Sequence, residues 1–242
     1  MSGHSKWSTI KRKKGEKDGA RAKVFTKISR EIIVAVKEGG ADPSSNSKLA
    51  QLIQKAKSNN IPNDNIDRLL KKASGDAEKS NYEDCVYEGY GPNGVALIVE
   101  CLTDNRNRTA GEIRHYFDKF GGNLGTSGCV SFMFSTKGIV VLDNEDETID
   151  EDKAMEDILE AGGDDFTFEE GCVEITTDPS TVAEVGNALA AMGYTVLSAE
   201  PAKIPATYTA LTDEDHIKKM TLLLETLEDN DDVQNVWHNW EE

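Results

Sequence analysis

The chain has 242 residues, 38% of them apolar, and its 27 Lys/Arg against 44 Asp/Glu give a formal charge of −17. That apolar content excludes a chain disordered by composition, and at roughly 150 residues per domain the length allows more than one core. No apolar run approaches the ~18 residues of a membrane span. The start lacks a signal-peptide stretch, and Ser2 stands where myristoylation needs glycine, so the expected compartment is the cytoplasm.

The charge is unevenly distributed. Residues 1–79 hold 18 Lys/Arg and nine Asp/Glu, whereas residues 80–242 hold nine and 35. A basic end on an otherwise repelling body points to a polyanionic partner, nucleic acid first of all. Residues 1–20 carry charge with little periodicity, Trp7 and Ile10 being their large apolar side chains, and read as an arm.

Three helices are expected next. The first runs from about Gly19 to Glu38, with Val24, Ile28, Ile32 and Val36 on one face, and Gly39-Gly40 ends it. The second carries Leu49, Leu52, Ile53 and Ala56. The third starts near Pro62-Asn63 and places Ile66, Leu69, Leu70 and Ala73 at helical spacing. One apolar stripe each predicts a small three-helix bundle.

From Tyr82 the periodicity becomes that of strands. Tyr82–Tyr90 and Val95–Thr103 flank Gly91-Pro92-Asn93-Gly94 as a hairpin. A helix over about Arg106–Phe120 follows, then the glycine-rich loop Gly121–Gly128 and a strand at Val130–Phe134. Residues 137–205 read strand, helix, strand, strand, helix, strand, the ferredoxin-like βαββαβ order. After them come Thr207–Leu211, a helix Asp213–Leu227 and a last strand Val233–Trp240. This tail resembles a missing half of the Tyr82–Phe134 unit, which suggests an insertion. The expected fold class is therefore α+β with three domains. They are a basic arm plus three-helix bundle (1–78), a central α/β domain (79–135 and 206–242), and an inserted acidic ferredoxin-like domain (136–205).

The chemistry concentrates in the arm, Gly3-His4-Ser5-Lys6-Trp7-Ser8-Thr9-Ile10-Lys11-Arg12-Lys13-Lys14. Residues 1–30 hold ten Lys/Arg and two acids. Clustered cations neutralise phosphates and release counterions, which supplies affinity without sequence preference. Trp7 among them is placed to stack on an unpaired base; a solvated tail with Trp7 tucked against the bundle is the competing reading. Arg21, Lys23, Lys27 and Arg30 extend the basic patch along the first helix, with simple surface solubility as the alternative. In Asp104-Asn105-Arg106-Asn107-Arg108-Thr109, Arg106 and Arg108 beside a helix start suit a phosphate, and capping by Asn105 or Asn107 is the rival explanation.

Other patterns point away from catalysis. Gly89-Tyr90-Gly91-Pro92-Asn93-Gly94 matches G-x-G-x-x-G, but it joins two strands, and a dinucleotide site needs a strand followed by a helix. The loop Gly121–Gly128 lacks the Lys-Ser/Thr ending of a P-loop; it either lets backbone approach RNA closely or is merely flexible. His4, His115, His216 and His238 are scattered, and Cys85, Cys101, Cys129 and Cys172 have no paired spacing. No metal site, cofactor or enzymatic activity is expected. Asp143–Glu170, with 14 acids and only Lys153, is expected to face solvent or a basic protein.

Gly3-His4-Ser5-Lys6-Trp7, Phe25-Thr26-Lys27, Asn59-Asn60-Ile61-Pro62, Tyr87-Glu88-Gly89-Tyr90-Gly91-Pro92, Thr103–Thr109 and Gly121–Gly128 together resemble the YebC family. Its relatives include PmpR-type regulators and the mitochondrial translational activator of cytochrome oxidase. The resemblance implies three domains with a ferredoxin-like one inserted in the second. It also implies regulation of gene expression without a catalytic residue set. Some members are described as DNA-binding transcriptional regulators and others as acting in translation, at difficult stretches such as consecutive prolines. The binding residues it implies are His4, Ser5, Lys6 and Trp7 with the lysines behind them, then Arg106 and Arg108. Ribosomal RNA or DNA, and the ribosome, are the expected partners. No membrane partner is expected, and without a dimer seam a monomer is favoured. A mobile basic arm with an aromatic suits structured RNA better than a duplex read by a recognition helix, which places translation ahead of DNA regulation.

Overall fold

In the computed structural model, which describes residues 19–76 and 81–241 and side chains over 23–75 and 81–241, the first helix, α1, spans Gly19–Gly39. Its two closing glycines act differently. A Cβ on Gly39 would meet the Asn46 side chain at 2.7 Å, and Gly40 takes the left-handed φ of +84° that ends the helix. Asn46, itself buried, caps α2 (Ser47–Ser58) by accepting from the Leu49 N–H at 3.0 Å. Its amide also donates to the Ala35 and Gly40 carbonyls at 2.8 Å. With α3 (Asn63–Asp76) the bundle closes over Ile28, Ile32, Ala35, Leu49, Leu52, Ile66, Leu69 and Ala73.

The central sheet comes from both ends of the chain. Its order is β3-β1-β2-β9, with β1 Glu83–Tyr90, β2 Ala96–Thr103, β3 Asn123–Leu124 and β9 Val233–His238, every pairing antiparallel. Between β1 and β2 the turn places Asn93 and Gly94 at φ +53° and +77°. Alternate residues of the sheet, Cys85, Leu97, Val99, Cys101 and Val233, face a core shared with α4 (Arg106–Lys119) and α7 (Glu214–Asp229). Cys85 and Cys101 lie opposite one another as buried free thiols, and burial pushes the Cys101 thiol well above its ordinary range. Such thiols pack as small hydrophobes. Short strands β8 (Thr209–Ala210) and β10 (Trp240–Glu241) pair in parallel near the C-terminus.

The chain divides into two compact units, with boundaries at Met133/Phe134 and Ala206/Thr207. The bundle and the central sheet fall in one unit, tied by the polar contacts described below. The other, Phe134–Ala206, runs β4 (Phe134–Asp143), α5 (Glu151–Ala161), β5 (Asp165–Glu169), β6 (Cys172–Thr177), α6 (Val182–Ala191) and β7 (Val196–Pro205). Its sheet order is β5-β6-β4-β7, all antiparallel, over a core of Val140, Leu142, Ile158, Val173, Ile175, Val185 and Leu189. The stretch Thr207–Leu211 contributes the two residues of β8. One expected strand differs. Val130–Phe134 is instead one turn of 3₁₀ helix (Ser131–Met133), with Phe134 opening β4. No helix among the described residues is long and apolar enough to cross a membrane.

Candidate functional site

The expected contacts His4, Ser5, Lys6, Trp7, Lys11, Arg12, Lys13 and Lys14 lie outside the described residues, as does the side chain of Arg21. The remaining candidates on α1 share one face, at i, i+4 and i+7, and that face meets the C-terminal end of α7. Lys23 Nζ donates to Asp229 Oδ1 at 2.5 Å, and Lys27 Nζ to the Glu228 carbonyl at 2.7 Å. The last turn of α7 has no basic residue of its own. These lysines supply the positive charge that its unsatisfied carbonyls and dipole favour. Arg30 Nη1 reaches both the Asp231 carbonyl and Asp232 Oδ1 at 2.6 Å, and its guanidinium lies 5.6 Å from the Tyr82 ring centre.

Asp232 is the hub of this junction. It is 3% exposed, and its second oxygen accepts from Arg108 Nη2 at 2.7 Å, Thr109 Oγ1 at 2.7 Å and Thr103 Oγ1 at 3.0 Å. Burial alone would raise its pKa. The hydrogen bonds from Arg108, Thr109, Arg30 and Thr103 outweigh burial and bring it down to about 2. The same Arg108 nitrogen reaches Asp104 Oδ1 at 2.9 Å, and its bonds to Asp232 first and Asp104 second push its pKa up. Asn105 is the cap of α4, accepting from the Arg108 N–H at 3.1 Å. Arg106 points elsewhere, 63% exposed and 4.0 Å from Glu83 Oε2.

Four candidate cations, Lys23, Lys27, Arg30 and Arg108, are thus engaged by the protein's own carboxylates and carbonyls. A groove lined by three of them sets Lys23, Arg30 and Arg108 against Asp104, Glu112, Asp229, Asp231 and Asp232. With carboxylates in excess it disfavours a phosphate. The sequence reading missed Asp232, because a lone acid in an acidic tail carries no local signal of its partners more than a hundred positions away.

A second buried carboxylate, Glu88, organises the glycine-rich loop. One oxygen accepts from the Gly128 N–H at 2.8 Å, the other from the Val130 and Ser131 N–H groups at 2.9 Å. Burial raises its pKa, but the backbone donors of Val130, Gly128 and Ser131 more than offset this and hold it below the ordinary carboxylate value. These bonds take the N–H groups that a strand at Val130–Phe134 would need for its ladder, which explains the 3₁₀ turn. Gly89, Gly122 and Gly125 are tight here. A Cβ on each would lie 2.5 Å from Asn123 O, Tyr90 O and Cys129 Sγ respectively. Among the described residues no group of three or more His, Cys, Asp or Glu is placed to hold a metal ion.

Two family models together match most of the chain. That for the TACO1/YebC N-terminal domain matches residues 5–76, and that for the TACO1/YebC second and third domain matches residues 82–240. A probable transcriptional regulatory protein of Ruminiclostridium cellulolyticum is 58% identical over 242 residues, covering 100% of this chain and 97% of the relative. One of the same description from Finegoldia magna is 54% identical over 241 residues, covering 100% and 99%. The crystal structure of a conserved hypothetical protein from Aquifex aeolicus, Aq1575, superposes with a TM-score of 0.87 at 41% identity, covering 98% of this chain and 97% of that one. With motifs, sequence and fold in agreement along its length, the chain belongs to the TACO1/YebC family.

Proposed function

We propose that this protein is a non-enzymatic, nucleic-acid-binding regulator of gene expression that acts on RNA at the ribosome, relieving stalled synthesis at stretches such as consecutive prolines. One observation carries the reading. Residues 1–30 hold ten cations against two acids, while the helix cations Lys23, Lys27 and Arg30 are already bonded to the C-terminal segment. The phosphate-binding work therefore falls to the arm, with Lys6, Lys11, Arg12, Lys13 and Lys14 as its charges, Trp7 as its stacking group, and His4 and Ser5 as polar neighbours. Helix α1 serves as its anchored mount, and Arg106 is the exposed auxiliary cation. The second reading, a DNA-binding transcriptional regulator in the same cytoplasmic compartment, is favoured by the description of the relatives as probable transcriptional regulatory proteins.

The test is co-sedimentation of the full chain with ribosomes across a salt series, beside a variant lacking residues 1–14 and one with Lys11, Arg12, Lys13 and Lys14 changed to Ala. The expected result is arm-dependent binding that weakens with salt. The four-Ala variant should lose roughly 0.7–0.9 of the logarithmic salt slope per phosphate contact removed. Equal binding with and without the arm defeats the proposal. Retention of a few promoter fragments with no ribosome binding makes the second reading the correct one.

A further inference from the structure

Phe132 is the most exposed large apolar side chain among the described residues, at 78%. Its position is imposed rather than left free. Val130 is fully buried, and the Gly128, Val130 and Ser131 N–H groups end on Glu88. Tyr90 Oη donates to the Cys129 carbonyl at 3.1 Å, and the Met133 N–H closes the turn on Val130 O at 2.9 Å. A phenyl ring held out in water on so constrained a backbone adds nothing to the core. The ring is pre-ordered, the loop's ordering entropy being already spent in folding.

Charge selects the partner. In a chain of net −17 with 29% charged residues, Phe120–Thr136 contains no charged residue, and Lys119 and Lys137 bound it in sequence. The loop's exposed residues, Thr126, Ser127, Gly128 and Ser131, are all neutral, and with the Gly128 and Ser131 N–H groups taken by Glu88 its polar groups towards a ligand are the Thr126 and Ser127 hydroxyls. Gly128 has nothing within 4 Å of a Cβ position. In so acidic a chain, an uncharged stretch is where a polyanion meets the least repulsion.

We propose that Phe132 is a stacking platform for an unpaired base, with the Thr126 and Ser127 hydroxyls against the adjoining sugar. This rests on the nucleic-acid reading above and adds a contact that the arm does not provide. The probe is an unstructured RNA 12-mer carrying one 2-aminopurine, with a blunt RNA duplex of equal length as comparison, both titrated with the full chain. Stacking at ~1–3 kcal/mol per base corresponds to roughly 5- to 150-fold in affinity. Phe132→Ala should lose affinity for the single strand within that range, barely change duplex binding, and abolish the fluorescence quench that the wild type produces. Phe132→Tyr should retain both, and Phe132→Leu, apolar but unable to stack, should behave like Ala. Unchanged single-strand affinity and quench in Phe132→Ala, while the arm variant loses binding, overturns this inference alone. So does loss of ribosome co-sedimentation in Phe132→Ala with RNA affinity intact, which marks a protein contact. A wild type that binds neither RNA overturns the reading of RNA as the target as well.

Discussion

Two buried carboxylates hold two regions of this molecule, and they do so by opposite means. Asp232 is met by side chains from three separated stretches, Arg30, Thr103 and Arg108–Thr109, two of the four donors being full cations. Glu88 is met by backbone N–H groups of a single loop. The first joins distant segments and consumes positive charge that a nucleic acid would otherwise have used. The second shapes one loop, consumes no cation, and leaves that loop's surface uncharged. In this molecule the acid paired with arginines holds a junction between distant segments, and the acid buried under amides holds the shape of one loop.

The largest expected effect breaks the first region. Asp232→Ala leaves Arg30, whose side chain is 17% exposed, without its carboxylate, and removing one partner of a buried pair costs about 4 kcal/mol. Urea unfolding should show that loss, and an unchanged midpoint would mean that the hub contributes no stability. The pH dependence follows in sign. The folded pKa of Asp232 is depressed from 3.8 to about 2, so its contribution is complete above about pH 4 and is lost as pH falls towards 2. It amounts to roughly 2 kcal/mol. Asp232→Asn should flatten that part of the acid-stability curve.

Glu88→Gln is the matching change in the second region. The amide keeps one acceptor and turns a donor towards N–H groups, so about 2 kcal/mol of stability should disappear. Hydrogen exchange at the Gly128, Val130 and Ser131 amides should accelerate, while the Asp232 junction stays as it was. Uniform acceleration throughout the central sheet would instead show that Glu88 supports the whole core.

These two regions also mark where the sequence was readable. The stripe Val24, Ile28, Ile32 and Val36 gave the buried face of α1 because period 3.6 is a local signal, and Ile28 and Ile32 are buried as it requires. A last strand was legible at Val233–Trp240, of which β9 takes Val233–His238, but its register beside β2 was not, because pairing across more than 130 residues leaves no local signal. Lys23, Lys27 and Arg30 were visible as a basic face, but not what that face meets. An ion pair between residue 30 and residue 232 leaves no periodicity. Phe132 was hidden for another reason. Val130, Phe132 and Phe134 alternate as a strand does, and only Glu88, buried on the neighbouring strand, converts that stretch into a turn that turns the ring outward.

The smallest effect sharpens the comparison most. Lys23 and Asp229 form the outer edge of the junction, with side chains 40% and 68% exposed, and an exposed pair of this kind contributes about 0.5 kcal/mol or less. Lys23→Ala should therefore leave the urea midpoint almost unmoved where Asp232→Ala shifts it strongly. Its effect on RNA affinity then separates two roles that the residue could combine. Unchanged affinity at every salt concentration means that Lys23 belongs to the junction alone, as its bond to Asp229 suggests. A salt slope reduced by about one contact means that the lysine exchanges Asp229 for a phosphate on binding. The basic surface would in that case extend from the arm onto the first turns of α1, ending at Arg30, where burial makes the exchange too costly.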